Sequence, residues 1–330
     1  MTTSDKSQFQ RIFESHYTWI EGFMRNVRRY ANKLAMIEPH HDIRWTYREL
    51  NAACNRLCHA LQQDGFGRGD VIMVQTTNCP EFAFAYIAPQ KLHGVMSPVG
   101  FRLSPGELAQ NIRDSRPMVI LCDSKRKDGV LEAVKIAGCK PKRIVVADGN
   151  TDDKVISYAD YVRDCDDSEP EVEGDYNIYD ETTRLYTSGT TGHPKGVPLT
   201  SINEVLSAHD IMIHFPMNFK DVTMNTTPWF HRGGVHCGGP CPTFYAGACL
   251  VVMDKFDAVT TLKYISRYKI TFVIGVPTVL EELADAQEQQ SFDLSTLTGI
   301  ITMGSPLERG ACLRYQRVLT PNIYNGYGTT

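Results

Sequence analysis

Residues 186–197 are the most informative stretch of the chain. They read Tyr186-Thr187-Ser188-Gly189-Thr190-Thr191-Gly192-His193-Pro194-Lys195-Gly196-Val197. Four hydroxyl side chains, three glycines and one lysine lie within eleven of these residues. Hydroxyls and backbone N–H groups can surround phosphate oxygens, glycine lets the main chain approach closely, and lysine adds a compact positive charge. The stretch therefore predicts a phosphate-binding loop.

Two other interpretations of this stretch fit less well. A Walker-type P-loop requires a lysine followed directly by Ser or Thr and then by a helix. Here Pro194 precedes Lys195 and Gly196 follows it, which argues against a P-loop NTPase or a kinase. A flexible Ser/Thr/Gly linker is disfavoured because Pro-Lys-Gly leads into an apolar segment that is predicted to be a strand.

Outward from the loop, short β-branched segments alternate with helical patterns. The predicted strands are 43–46, 71–75, 95–99, 118–121, 143–147, 183–187, 222–226, 249–253, 272–275, 299–302 and 322–325. Helices are predicted between them, and Ser104 with Glu107 forms a capping box for one of them. Repeated βα units predict an α/β fold with doubly wound, mostly parallel sheets and helices on both faces. Ligands bind beyond the carboxyl ends of such strands, and strand 183–187 places the loop there.

Composition and charge exclude several classes of protein. The 330 residues are 42% hydrophobic and 22% charged with a net charge of −4, which is typical of a globular chain. The basic residues Arg25, Arg28 and Arg29 are interpreted as one solvated helix face, so no nucleic-acid partner is expected. Residues 148–182 are acidic and poorly periodic, and we interpret them as a surface excursion.

The cysteines and the N-terminal residues indicate the compartment. Ten cysteines are scattered without framework spacing, and Cys237-Gly-Gly-Pro-Cys241 does not match a zinc-ribbon pair, so no metal site is predicted. Residues 1–10 are polar and unlike a signal peptide, and no uncharged apolar stretch is long enough to span a bilayer. A cytoplasmic protein with reduced thiols is expected.

The loop resembles the signature loop of the adenylate-forming superfamily, which includes acyl- and aryl-CoA ligases, peptide-synthetase adenylation domains and firefly-type luciferases. The family pattern Y-T-S-G-T-T-G-x-P-K-G-V continues with an apolar residue, Thr and often His; here Thr200 matches and Ser201 replaces the histidine. The resemblance implies that the chain is most of the family's large N-terminal AMP-binding domain. This domain would consist of two stacked αβ subdomains, one at about 66–212 and the other formed by about 10–65 together with 213–330.

Residues 228–234 resemble the P-x-F-H-x-x-G segment of acyl- and aryl-CoA ligases. The resemblance implies that this segment borders the acid, with Trp229, Phe230, His231, Gly233 and Gly234 as substrate-binding residues and His231 also as a catalytic residue. Amino-acid-activating relatives usually carry Phe-Asp at this place, so His231 argues against an amino acid substrate.

Two later segments resemble the adenosine-binding motifs of the family. Residues 302–307 are similar to its G-G-A-P-L turn beside the adenine, with Met303 replacing the first glycine and Ser305 the alanine. The end of the chain is similar to its G-Y-G-x-T-E segment, in which the aromatic residue stacks on adenine and the last Thr meets the α-phosphate. The implied nucleotide-binding residues of these segments are Gly304, Ser305, Pro306, Asn325, Gly326, Tyr327, Gly328, Thr329 and Thr330.

The implied reaction has two steps and uses ATP, Mg²⁺ and CoA. A small carboxylic acid attacks the α-phosphorus of ATP to give an acyl-adenylate and pyrophosphate, and the CoA thiol then displaces AMP. The phosphate-binding residues would be Thr187, Ser188, Gly189, Thr190, Thr191, Gly192 and Lys195, with Lys195 and Thr330 as further catalytic residues.

Three alternatives stay open at this point. The acid could be aromatic, alicyclic or fatty, and its acceptor could be CoA or, for an aryl acid, a carrier protein. The family's magnesium-binding glutamate, its ribose-binding aspartate and its C-terminal lid with a catalytic lysine have no counterpart before Thr330. A truncated chain with impaired activity, or a non-catalytic nucleotide-binding fragment, is therefore also expected. The residues do not indicate an oligomeric state.

Overall fold

A computed structural model describes residues 7–187, 195–328 and 330. Contacts divide the chain into two compact units, and each unit contains one seven-stranded sheet. Unit 1 contains the residues up to Arg29, Glu49–Thr76 and Glu81–Leu206, and unit 2 contains Tyr30–Arg48, Thr77–Pro80 and Ser207–Thr330. These units place residues 10–29 and 49–65 with the first sheet, whereas the subdomain limits proposed from the sequence grouped 10–65 with the second.

The strands and helices of the described residues are numbered in chain order. The strands are β1 (Leu34–Glu38), β2 (Ile43–Thr46), β3 (Val71–Gln75), β4 (Val95–Pro98), β5 (Val119–Cys122), β6 (Arg143–Val146), β7 (Ile156–Ser157), β8 (Glu181–Thr187), β9 (Lys195–Thr200), β10 (Val222–Asn225), β11 (Cys249–Val251), β12 (Phe272–Gly275), β13 (Gly299–Thr302) and β14 (Ile323–Asn325). The helices are α1 (Gln8–His16), α2 (Trp19–Arg29), α3 (Tyr47–Gln63), α4 (Pro80–Lys91), α5 (Pro105–Ser115), α6 (Lys127–Ala137), α7 (Tyr158–Tyr161), α8 (Ser201–His214), α9 (Arg232–Val235), α10 (Pro240–Ala246), α11 (Ala258–Tyr268), α12 (Pro277–Gln289) and α13 (Arg309–Val318).

The sheet of unit 1 has the strand order β7-β6-β5-β3-β4-β8-β9. Adjacent strands in this sheet are parallel, except that the edge strand β9 is antiparallel to β8. The central strands β3, β4 and β5 are buried along their whole length, as expected for a parallel sheet that helices cover. Helices α5 and α6 contribute Leu108, Ile112 and Val130 to one hydrophobic cluster of this unit.

The sheet of unit 2 has the strand order β14-β13-β12-β10-β11-β1-β2. It is again parallel except at one edge, where β2 is antiparallel to β1. Helices α11, α12 and α13 pack on it through a cluster that includes Leu262, Leu280 and Tyr315. Within the described part of the chain, no helix combines the length and the apolar character that crossing a membrane would require.

The predicted α/β fold with mostly parallel sheets flanked by helices is confirmed. Strands β2, β3, β12 and β13 have the predicted bounds, and the capping box of α5 is present, with Ser104 Oγ accepting from the Glu107 N–H at 3.4 Å. Strand β1 was not predicted, because its residues Leu-Ala-Met-Ile-Glu lack a run of β-branched side chains. Strand β1 forms because it pairs with β11 and β2, and this pairing is not visible in a local pattern.

The acidic segment 148–182 is more than a surface excursion. It contains β7 and α7, and its Glu169 reaches the ammonium of Lys91 at the end of α4. Lys91 Nζ donates to Asn51 Oδ1 at 2.7 Å, Asn55 Oδ1 at 2.7 Å and Glu169 Oε2 at 2.6 Å. The Lys91 side chain is only 2% exposed, so its three donors need these three acceptors. One buried charge thus joins α3, α4 and the acidic segment.

We predict that Lys91→Met destabilises the protein. The change leaves the side-chain oxygens of Asn51 and Asn55 without their donor, and a loss of about 2–4 kcal/mol in the free energy of unfolding is expected. The matched control is Lys127→Met, because Lys127 forms a partly exposed ion pair with Asp152 at 3.0 Å, and solvent-screened pairs of this kind contribute much less to stability. Urea unfolding measures both, and equal losses would contradict the role of Lys91.

Candidate functional site

The predicted phosphate loop lies between β8 and β9. Five of its predicted phosphate-binding residues lie outside the described residues: Ser188, Gly189, Thr190, Thr191 and Gly192. The two remaining ones, Thr187 and Lys195, are register partners at the ends of the antiparallel strands. Because β8 runs parallel to β4, the loop begins at the carboxyl end of the parallel sheet. That is the edge at which α/β folds bind ligands.

Close packing fixes the base of this hairpin. Tyr186 donates a hydrogen bond from its hydroxyl to Asp114 Oδ2 at 2.6 Å. A Cβ on Gly196 would lie 3.0 Å from the same oxygen and 3.1 Å from Cδ of Arg184, so glycine is favoured there. Lys195 is exposed, and none of the carboxylates in the described ranges forms an ion pair with it. Its ammonium is therefore available to an anionic ligand.

Four parallel strands bring the other predicted segments to one edge of the second sheet. Asn225 at the end of β10 is the register partner of Ile274, Gly275 at the end of β12 is the partner of Thr302, and Thr302 is the partner of Asn325. The strands β10, β13 and β14 therefore end at nearly the same level. As a consequence, the residues that follow them start beside one another in unit 2.

Asn225 organises the segment that follows β10. This residue is fully buried, and its Nδ2 donates to the carbonyl oxygens of Gly233 at 3.1 Å, Gly234 at 3.0 Å and Cys237 at 3.2 Å. Its Oδ1 accepts from the Thr227 N–H at 2.8 Å. Sequence reasoning missed Asn225. The available signal was an amide side chain at the carboxyl end of a buried strand, followed by a glycine-rich segment with many backbone groups to satisfy.

The five predicted acid-binding residues differ in exposure. Trp229 is fully buried, and its backbone N–H donates to Asn78 Oδ1 at 2.8 Å. Gly234 packs against backbone, since a Cβ there would lie 2.0 Å from the Pro228 carbonyl oxygen. Phe230, His231 and Gly233 keep accessible surface. These three are the members of the predicted set that a ligand can reach.

The environment of His231 favours its neutral form. Its ring lies 3.9 Å from that of Phe230, centroid to centroid. Partial desolvation by the surrounding atoms lowers the pKa of His231 below its usual value, although the residue is exposed by surface area. At neutral pH the imidazole is therefore uncharged. It can approach a carboxylate as a hydrogen-bond donor, and it does not attract that carboxylate as a cation.

The predicted adenosine segments follow β13 and β14. Gly304 has φ of +92°, a conformation that favours glycine, and Gly304, Ser305 and Pro306 are all exposed. The Gly326 N–H donates to the Thr302 carbonyl at 2.9 Å and ties the two segments together.

Beyond Gly326 the chain end exposes an aromatic ring. Tyr327 is 99% exposed, so both faces of its ring are free for stacking. Asn325 and Gly328 are exposed and Thr330 is half-buried, while Thr329 lies outside the described residues.

Comparison with known proteins identifies the family of this chain. A family profile described as AMP-binding enzyme matches residues 23–330. The chain belongs to the AMP-binding enzyme family. This match covers both units and every segment of the candidate site.

Two of the similar curated proteins are CoA ligases that act on different acids, as their names state. The long-chain-fatty-acid–CoA ligase FadD13 of Mycobacterium tuberculosis is 28% identical over 300 residues, which cover 90% of this chain and 57% of the ligase. The 4-coumarate–CoA ligase 1 of Solanum tuberosum is 24% identical over 319 residues, covering 92% of this chain and 56% of that enzyme. The chain thus spans little more than half the length of the relatives it matches.

Solved structures share the fold of this family member. The anthranilate CoA ligase AuaEII in complex with anthranoyl-AMP superposes with a TM-score of 0.85 at 23% identity, covering 100% of this chain and 61% of that one. The N-terminal domain of FACL13 from Mycobacterium tuberculosis superposes with a TM-score of 0.82 at 23% identity. This match covers 94% of this chain and 76% of that one. At this identity the likeness establishes the adenylate-forming fold.

We predict that Asn225→Ala destabilises unit 2. The change removes the donor to one buried and two partly buried carbonyl groups, and a loss of about 3 kcal/mol in the free energy of unfolding is expected. Asn322→Ala is the matched control, because Asn322 is exposed and its Nδ2 makes one hydrogen bond, to the Thr298 carbonyl at 2.8 Å. Chemical denaturation of both variants tests this, and a loss for Asn225→Ala no larger than for the control would refute it.

Proposed function

We propose that the whole protein is an ATP-dependent carboxylic acid–CoA ligase, and that this chain carries its nucleotide and acid sites. The acid would attack the α-phosphorus of ATP, with release of pyrophosphate, and the thiol of CoA would then displace AMP from the acyl-adenylate. The observation that carries the proposal is the family match over 23–330 together with the three family segments at one edge of the second sheet.

The roles of the residues follow from their chemistry. Thr187, Lys195 and the loop between them would bind the β- and γ-phosphates with magnesium, which neutralises phosphate charge. Gly304–Pro306 and Tyr327 would hold adenosine, since an exposed ring can stack on adenine, and Thr330 would meet the α-phosphate. His231 and Phe230 would border the acid. Such a site works by positioning and charge neutralisation rather than by covalent catalysis.

His231 also supports an acid without an amino group. Amino-acid-activating members of the superfamily usually carry an aspartate at this position, where a carboxylate can pair with the ammonium of the substrate. A neutral imidazole offers no such pairing. We therefore propose a simple carboxylic acid as the substrate, with CoA as the acceptor. For this chain by itself, the proposed activity is binding of ATP or AMP.

The test is calorimetric titration of this chain with ATP plus magnesium and with AMP. We expect Tyr327→Ala to lower the affinity for both nucleotides by about 5- to 10-fold, which is the loss expected for one stacking contact. A folded wild-type chain that binds neither nucleotide would contradict the proposal for this chain.

A second variant separates the phosphate loop from the adenosine segments. Lys195→Ala should lower the affinity for ATP by about tenfold or more, because it removes a charge-assisted contact to the terminal phosphates. The same change should leave AMP binding nearly unaltered, since AMP lacks those phosphates. Equal weakening of ATP and AMP would show that Lys195 does not serve the β- and γ-phosphates.

A further inference from the structure

Met303 stands where the related pattern has glycine, and its side chain bridges two segments of the candidate site. A Cβ built on Gly233 would lie 3.6 Å from Met303 Sδ, and one built on Gly326 would lie 3.6 Å from Met303 Cε. Both distances are ordinary van der Waals contact. The thioether therefore fills the space between the segment after β10 and the segment after β14.

The remaining surroundings of this space are apolar. Phe215 lies on the same side, with its Cζ 3.3 Å from a Cβ built on Gly326 and its ring 5.8 Å from that of Tyr324, centroid to centroid. Met303, Phe215 and Tyr324 all pack against a buried cluster that contains Phe272 and Ile274. Met303 itself is only half-buried, so part of its side chain faces away from the cluster.

Gly233 can accept a side chain without backbone strain, unlike its neighbours. Gly234 and Gly239 would place a Cβ within 2.0 Å of a carbonyl oxygen, and Gly238 has φ of +89°. Glycine is therefore required at those three positions by packing or conformation. At Gly233 the nearest atom to such a Cβ is Met303 Sδ at 3.6 Å, an ordinary van der Waals contact, so a small side chain would fit there against the Met303 thioether.

We propose that Met303 is the end wall of the acid pocket and restricts the substrate to short-chain or single-ring carboxylic acids. The proposal rests on the proposed function, in which Phe230, His231 and Gly233 border the acid. An acid that enters past Gly233 meets the thioether, which closes the passage toward Gly326. A long acyl chain would have to displace Met303, whereas an aromatic ring can pack against its polarizable sulfur.

The test uses non-hydrolysable acyl-adenylate mimics, 5′-O-(N-acylsulfamoyl)adenosines with hexanoyl, benzoyl and dodecanoyl groups. Each affinity for this chain is divided by the affinity of the same variant for AMP, so that changes in the nucleotide part cancel. The wild type should favour the hexanoyl and benzoyl mimics over the dodecanoyl mimic by about tenfold or more, the discrimination typical of apolar pocket walls.

Three substitutions make the test specific for Met303. Met303→Gly should raise the relative affinity for the dodecanoyl mimic by about tenfold, while Met303→Leu, of similar volume, should keep the wild-type order. Gly233→Ala should lower the relative affinity for the benzoyl mimic, because its methyl group would narrow the entrance. Thermal denaturation of each variant shows that it is folded. A purely structural role of Met303 predicts lower stability with an unchanged order of affinities.

The outcomes separate this inference from the function on which it rests. Binding of AMP with affinities that do not depend on acyl size, or an unchanged order in Met303→Gly, would overturn the role of Met303 alone. Absence of binding by AMP and by every mimic in a folded chain would overturn the proposed function of the chain and this inference with it.

Discussion

The candidate site of the second unit depends on the parallel register of β10, β12, β13 and β14. The pairings of Asn225 with Ile274, Gly275 with Thr302, and Thr302 with Asn325 end these strands at one level. Gly233 and Met303, which are 70 positions apart in the chain, thereby become neighbours. A slip of one residue in any of these strands would turn its side chains to the opposite face and would separate the segments that follow.

Buried polar groups then shape what the sheet has brought together. The amide of Asn225 satisfies three carbonyl groups of the segment after β10, and this segment carries His231 and Gly233. In the first unit, the ammonium of Lys91 has a comparable role, because it fixes an acidic segment on α3 and α4. Both groups lose interactions with water on burial, and both are retained because every donor finds an acceptor.

The sequence predicted those features that depend on local pattern or on a long motif. Buried β-branched strands such as β12 and β13 were predicted with their bounds, and the segment 186–197 indicated the family. Strand β1 was not predicted, because its stability comes from pairing with β11. The roles of Asn225 and Lys91 were not predicted, because the groups to which they donate lie 8 to 78 positions away in the chain. The contact of Met303 with the position of Gly233 likewise exists only in the folded sheet.

We expect an adenylate to bind at the carboxyl edge of the second sheet. The most direct measurement is a crystal structure of this chain with an acyl-adenylate mimic bound. We expect to find adenine against the ring of Tyr327 beside Gly304–Pro306, with the acyl group next to Gly233 and ending at Met303. A mimic bound with its adenine away from the ends of β13 and β14 would rule out this binding site.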